Sequence, residues 1–308
     1  MRLLVVGAGA TGGYFGGRLA QHGRDVTFLV RPARAALMRE RGLSVTSPHG
    51  DFQIAPQLVT AAELTPGYDA VLIAVKAYSL AQVLPEVAKA IGPQTMVLPV
   101  LNGMRHIEAL QQQFGAEAVV GCVCRIAATV TAEGGIAQLA KFHELSYGEL
   151  SGAASPRVAA LHDFMSGAGF DARIAADIAH ELWEKWVFLA TLGGVNCLMH
   201  ASIGEIARAD GGIAFINGFL DEVLAVVSAE GAVMTDAFIA RTRAGVTDPT
   251  SSLTSSMYRD FSAGGQIEAD QILGDLAIRA RARGVATPRL DAVCAHLAIY
   301  QGRQSKNA

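Results

Sequence analysis

The sequence predicts an α/β protein in two parts. A doubly wound, parallel-stranded N-terminal domain covers residues 1–174, and an all-helical C-terminal domain covers 175–308. Three observations lead there. At about 150 residues per domain, a chain of 308 residues suits two domains. The first half alternates short β-branched runs with helical stretches, the pattern of parallel strands joined by crossover helices. After Ile174 that alternation stops, and apolar residues recur three and four apart.

Composition narrows the function classes. Hydrophobic residues make up 51% and charged residues 17%, ample apolar surface to offset the entropy of ordering. With 25 basic and 28 acidic residues the net charge is −3, too balanced for a nucleic-acid partner. No uncharged apolar run reaches the ~20 residues that a bilayer requires, so no membrane partner is expected. Cys122, Cys124, Cys197 and Cys294 form no CxxC pair, which points to reduced thiols and a cytoplasmic setting. Cys122 and Cys124 share one strand face as core packing. Neither cysteines nor histidines cluster at ligand spacing, so no metal is expected.

Residues 2–6 read as a strand buried on both faces. Gly7-Ala-Gly-Ala-Thr-Gly12 follows, then an apolar helix through Tyr14, Phe15, Leu19 and Ala20, then a second strand over 26–30. This strand, glycine turn, helix and strand form a Rossmann-type unit, the context that makes a GxGxxG motif specific. Gly7 permits the tight turn, Gly9 lets the backbone approach a pyrophosphate, and Gly12 lets the helix pack on the strand. The helix start, with Ala10 and Thr11, presents N–H groups and the positive dipole end to that phosphate. Where a carboxylate closing the second strand would select NAD, the chain has Arg31, with Arg34 three residues on. Arg31 can pair with a 2′-phosphate and stack on adenine, so the expected cofactor is NADP.

Further strands are expected at 70–75 and 95–100, with a helix over 80–90 between them. Lys76 and Asn102 sit at the carboxyl ends of these strands, where ligands of open parallel sheets bind. From Val119 to Glu149 short strand-like runs surround a hairpin turn at Glu133-Gly-Gly135. A helix over 156–168 and a short strand over 169–173 complete the domain. In the second half, helices are expected over 178–197, 213–231, 235–244, 267–284 and 288–301, and a cleft between the two domains would suit a small molecule. Two features there look chemical. Lys185 lies in the aromatic stretch Trp183-Glu-Lys-Trp-Val-Phe188, where partial desolvation lowers a lysine from ~10.4 toward neutrality. A serine cluster, Thr254-Ser-Ser-Met257, precedes Ile267-Glu268 and suits a carboxylate ligand or a helix cap.

Taken together these residues resemble the ketopantoate reductase family (2-dehydropantoate 2-reductase). The resemblance rests on the glycine motif, Val75-Lys-Ala77, Leu101-Asn-Gly103, Trp183-Glu-Lys185, Ser255-Ser-Met257 and Ile267-Glu268, in this order and nearly end to end. It implies NADPH-dependent reduction of a 2-oxo acid, with the site between the two domains and a place in pantothenate biosynthesis. It also implies Lys185 as proton donor, Glu268 as a catalytic carboxylate on the substrate side, Ser256 as a substrate-binding serine, and Asn102 and Lys76 near nicotinamide and substrate. At three positions where pantoate-reducing members carry asparagine, this chain has Leu189, Gly193 and Ile203. Lys185, Leu189 and Gly193 lie on one helix face, so a polar face for substrate hydroxyls is expected to have become apolar. Asn196 is ~16 Å from Lys185 along an ideal helix, too far to stand in. Two alternatives remain open: a reductase of a more apolar 2-oxo acid, and a non-catalytic NADP-sensing protein on the same scaffold. A homodimer is also left open.

Overall fold

The computed structural model describes the backbone of residues 1–307, and side chains through Gln304. It resolves two compact units. The first comprises residues 1–101 and 106–181, the second 102–105 and 182–308. The boundary expected after residue 174 therefore differs from the structural one. The physical reason is a helix that starts at Ile178 and runs unbroken to Met199, so the chain changes unit inside a helix rather than in a linker.

In the first unit the chain forms β1 (Arg2–Val6), α1 (Ala10–Gln21), β2 (Asp25–Leu29), α2 (Pro32–Arg41), β3 (Leu43–Thr46), β4 (Phe52–Ile54) and β5 (Gln57–Val59). There follow β6 (Ala70–Ile73), α3 (Ala77–Val87), β7 (Met96–Pro99), α4 (Arg105–Phe114), β8 (Val120–Val130), β9 (Ile136–Glu149), α5 (Pro156–Met165) and β10 (Asp171–Ile174). The main sheet is all parallel, in the order β5-β2-β1-β6-β7. This is the Rossmann strand order, and it reverses between β1 and β6. That reversal opens a crevice at the carboxyl ends of those two strands. Leu3, Leu4 and Val5 are fully buried, as the uninterrupted apolar run requires.

A second sheet was not foreseen as a unit. The expected hairpin is β8 and β9, turned through Thr131–Gly135 with Gly134 at φ +84°. Its strands are long, at 11 and 14 residues, and β9 also pairs with β3 and β10, while β3 pairs with β4. Cys122 and Cys124 lie buried in the core that this sheet helps to form.

The second unit holds α6 (Ile178–Met199) from Leu182 onward, α7 (Ile203–Arg208), α8 (Gly212–Ala229), α9 (Asp236–Val246), α10 (Ser256–Ser262), a π-turn over Asp270–Gly274, α11 (Asp275–Ala282) and α12 (Pro288–Asn307). Among the described residues α8 alone has the length and hydropathy of a membrane span. Its Ile216, Phe219, Leu220, Val223, Val226 and Val227 are core residues instead. Its Glu222, only 8% exposed, accepts the Arg289 and Leu290 N–H groups and an Arg289 guanidinium N–H at the start of α12. A carboxylate suits that position, because the first turn of a helix leaves N–H groups unpaired.

Candidate active site

The glycine turn after β1 shows three separate constraints. Gly7 has φ +95° and donates its N–H to Leu29 O at 3.0 Å, a conformation that favours glycine. A Cβ on Gly12 would lie 2.1 Å from Gly7 O and 2.8 Å from the Ala74 Cβ, so this residue sets the distance of α1 from β1 and β6. Gly9, the residue before α1, is different: a Cβ there would meet nothing within 4 Å. Among the described residues no atom accounts for that glycine, and the open space leaves its backbone accessible to a ligand. The first turn of α1 carries no acidic residue, so its N–H groups and dipole face an anion unopposed.

The other expected cofactor residues ring the same strand ends. Arg31 ends the β2 connection as the residue capping α2, and it is exposed. Arg34, one turn further along α2, donates to Ala8 O in the glycine turn at 3.2 Å. Lys76 precedes α3 at the carboxyl end of β6, half-buried. An NADP molecule fits this donor set: bare backbone for the pyrophosphate, and cations without a carboxylate at the ribose end.

Asn102 belongs to the second unit, together with Lys185, Ser256 and Glu268. Three tertiary contacts gather their segments. Trp186, the neighbour of Lys185, donates its indole N–H to Ile272 O in the π-turn at 2.8 Å. Glu268, 7% exposed, stands just before that turn, and its carbonyl accepts Ile272 N–H at 3.1 Å. Gly103, at φ +81°, lies so close to the turn that a Cβ would be 2.5 Å from Gln271 O. The fourth segment is fixed by Asn196, fully buried, whose Oδ1 accepts Ser255 N–H at 2.9 Å and whose Nδ2 donates to Ala201 O at 2.9 Å.

The two serines divide their tasks. Ser255 caps α10, its hydroxyl accepting Tyr258 N–H at 3.0 Å. Ser256 is half-buried and is not used as the cap, so its hydroxyl is available to a ligand. Lys185 is likewise half-buried.

The three positions expected to have lost their asparagines differ in their surroundings. Leu189 is half-buried, but Ile203 is fully buried in the core and lines no open wall. At Gly193 the space for a side chain is already taken, because a Cβ would lie 2.8 Å from Met257 Cε. Apolar packing therefore occupies the space at Gly193 and surrounds Ile203. Trp186, Met257 and Asn196 are the residues whose part sequence reasoning missed. Trp186 and Met257 stood inside quoted motifs without a reading of their own. Nothing in the sequence marks main-chain carbonyls as the partners of Trp186 and Asn196.

A glycine-turn Rossmann sheet followed by a helical unit is the architecture of an NADP-dependent oxidoreductase. The chain belongs to the ketopantoate reductase family. Residues 3–152 match the family model described as "Ketopantoate reductase PanE/ApbA", and residues 177–301 match its C-terminal counterpart. It is similar to a Bacillus subtilis protein described as "Uncharacterized oxidoreductase YkpB", 35% identical over 99% of this chain and 100% of that one. A 2-dehydropantoate 2-reductase of Halobacterium salinarum is 29% identical, covering 94% of this chain and 95% of its own. Among solved structures, a 2-dehydropantoate 2-reductase of Geobacter metallireducens superposes with a TM-score of 0.87 at 27% identity, covering 97% of this chain and 99% of that one.

Proposed function

We propose that the protein reduces 2-dehydropantoate to pantoate with NADPH. The observation that carries this reading is the tie between the Lys185 helix and the Glu268 turn, through Trp186 and Ile272, with Gly103 packed on the same turn. A sensor has no need to hold a proton donor and a carboxylate in one such assembly.

Gly7, Gly9, Ala10, Thr11 and Gly12 would hold the pyrophosphate and Arg31 the 2′-phosphate, with Lys76 serving the nicotinamide end. When bound, the dinucleotide supplies hydride to the substrate carbonyl carbon. The Lys185 ammonium donates its proton to the carbonyl oxygen, and its charge stabilises the alkoxide as it develops. Asn102 orients the carbonyl and the nicotinamide through its amide. The Ser256 hydroxyl donates to the substrate carboxylate. Glu268 accepts from the substrate hydroxyl or holds Lys185 in place.

A second reading, a reductase of a 2-oxo acid with an apolar side chain, is favoured by one observation: Met257 fills the space beside Gly193. Steady-state NADPH oxidation against a panel of 2-oxo acids separates the two. Lys185→Ala is expected to lose about 10²–10⁴-fold in kcat while NADPH affinity stays near that of the native protein. Activity of that variant within tenfold of native overturns the proton-donor role.

A further inference from the structure

A π-turn shifts main-chain carbonyls out of the regular helical ladder, and buried carbonyls need a donor from elsewhere. In this chain the turn starts two residues after Glu268. Its Ile272 carbonyl takes the indole N–H of Trp186 in a buried hydrogen bond of 2.8 Å. The indole cannot easily move away, for it is 1% exposed and stacks on Trp183 at 5.3 Å between ring centres. The Arg279 guanidinium lies 5.5 Å over its ring, itself bound to Glu230 at 2.6 Å and Asp275 at 3.2 Å. Gln271, the preceding residue of the turn, has its carbonyl against Gly103, next to Asn102. Two successive residues of one turn therefore meet the neighbours of Lys185 and of Asn102, and Ile272 N–H closes on Glu268.

We propose that Trp186 is a positioning residue for the reduction: its N–H pins the π-turn to α6 and so sets Glu268 and Asn102 relative to Lys185. The proposal rests on the reading of Lys185 as proton donor. An aromatic ring without the N–H fills the same space but leaves Ile272 O without this donor. The turn then loosens, and the groups around the lysine lose their fixed spacing.

Trp186→Phe tests this, with 3-benzothienylalanine at position 186 as the closer isostere (sulfur in place of N–H) should the phenylalanine variant fold poorly. Amide hydrogen exchange across 268–276 is expected to rise. kcat is expected to fall about tenfold, with the NADPH dissociation constant unchanged and the pH profile of kcat displaced from that of the native enzyme. Unchanged exchange shows that the N–H does not hold the turn. Faster exchange with native kcat and a superposable pH profile shows that it holds the turn for stability only. Either result overturns the proposal. Lys185→Ala, assayed alongside, reports on the underlying reading: if it remains active, the proton-donor assignment fails whatever the exchange shows, and the positioning role fails with it.

Discussion

Glycines seven, nine and twelve sit within one turn, yet alanine at two of them should have opposite consequences. Gly12→Ala drives a methyl into Gly7 O, and α1 must lift from the sheet. Overpacking of this kind costs about 3 kcal/mol, and chemical denaturation should show the loss. Gly9→Ala meets no protein atom and keeps a φ of −82° that alanine tolerates. Its stability should change by less than ~1 kcal/mol, the scale of an N-cap preference, while NADPH affinity falls at least tenfold. If Gly9→Ala binds NADPH as the native protein does, the pyrophosphate lies elsewhere. Arg31 makes the complementary case at the ribose end. Its replacement by Asp removes a charged hydrogen bond worth roughly 1–3 kcal/mol and offers the ribose hydroxyl an acceptor. The variant should turn from NADPH toward NADH in a fluorescence titration, and equal binding of both cofactors by the native protein would remove Arg31 as the selector.

Among the elements, length and unbroken apolar character decided what could be read. α1 and the long helices of the second unit carry full periods of apolar residues, while β1 and β6, though short, are unbroken apolar runs buried along their length, so the existence and order of these elements were legible. β3, β4 and β5 have three or four residues, and α7 and α10 six or seven, too short to show a period. The second sheet was hidden for a further reason: β9 is joined to β3 by pairing across a long sequence separation, which no local pattern encodes. At the candidate site, Lys185, Glu268 and Ser256 were singled out by the family resemblance, since by residue type alone a snorkelling lysine, a surface carboxylate and a helix cap fit equally well. The ties that hold them were not, since Trp186 bonds to a carbonyl and Asn196 to an N–H and a carbonyl. Asn196 tests how much such a tie matters. Asn196→Ala leaves Ser255 N–H and Ala201 O buried without their partner, at about 1–3 kcal/mol for each orphaned group. Urea unfolding should detect a loss of roughly 2 kcal/mol or more, together with a raised KM for the 2-oxo acid as Ser256 loses its fixed position. A change below ~0.5 kcal/mol, the scale of an ordinary surface substitution, would mean that α10 is held by its apolar contacts alone.

For the molecule as a whole, acid stability and substrate choice follow from buried groups. His143 is 7% exposed and accepts or donates at Tyr14 Oη over 2.7 Å. Burial first, then His49 stacked at 3.8 Å and Arg18, hold its pKa below the ordinary imidazole value, against an opposing pull from Asp171. The folded state thus binds its proton less readily than the unfolded chain, so the stability is present above about pH 6.5 and is lost as pH falls through the folded value. His296 is depressed in the same direction by burial and by His200. The urea midpoint should fall as the pH drops below about 6.5, and His143→Gln should flatten that slope; an unchanged slope would place the acid sensitivity elsewhere. Under the proposed function, substrate choice is expected to depend on the packing around Gly193 and Ile203. With Met257 Cε in the space of a side chain at 193, and Ile203 sealed in the core, neither position offers an amide to a substrate hydroxyl. Under the proposed function the carboxylate and carbonyl ends would still be held by Ser256, Asn102 and Lys185. A site built to bond a hydroxyl rejects the analogue lacking it by ~10⁴, whereas an apolar wall discriminates only ~10–200-fold. The ratio of kcat/KM for ketopantoate to that for trimethylpyruvate, the same acid without its hydroxyl, should therefore stay within the smaller range. A ratio above roughly a thousandfold, between those limits, would show that Glu268 reads the hydroxyl directly and that the lost asparagines do not govern specificity.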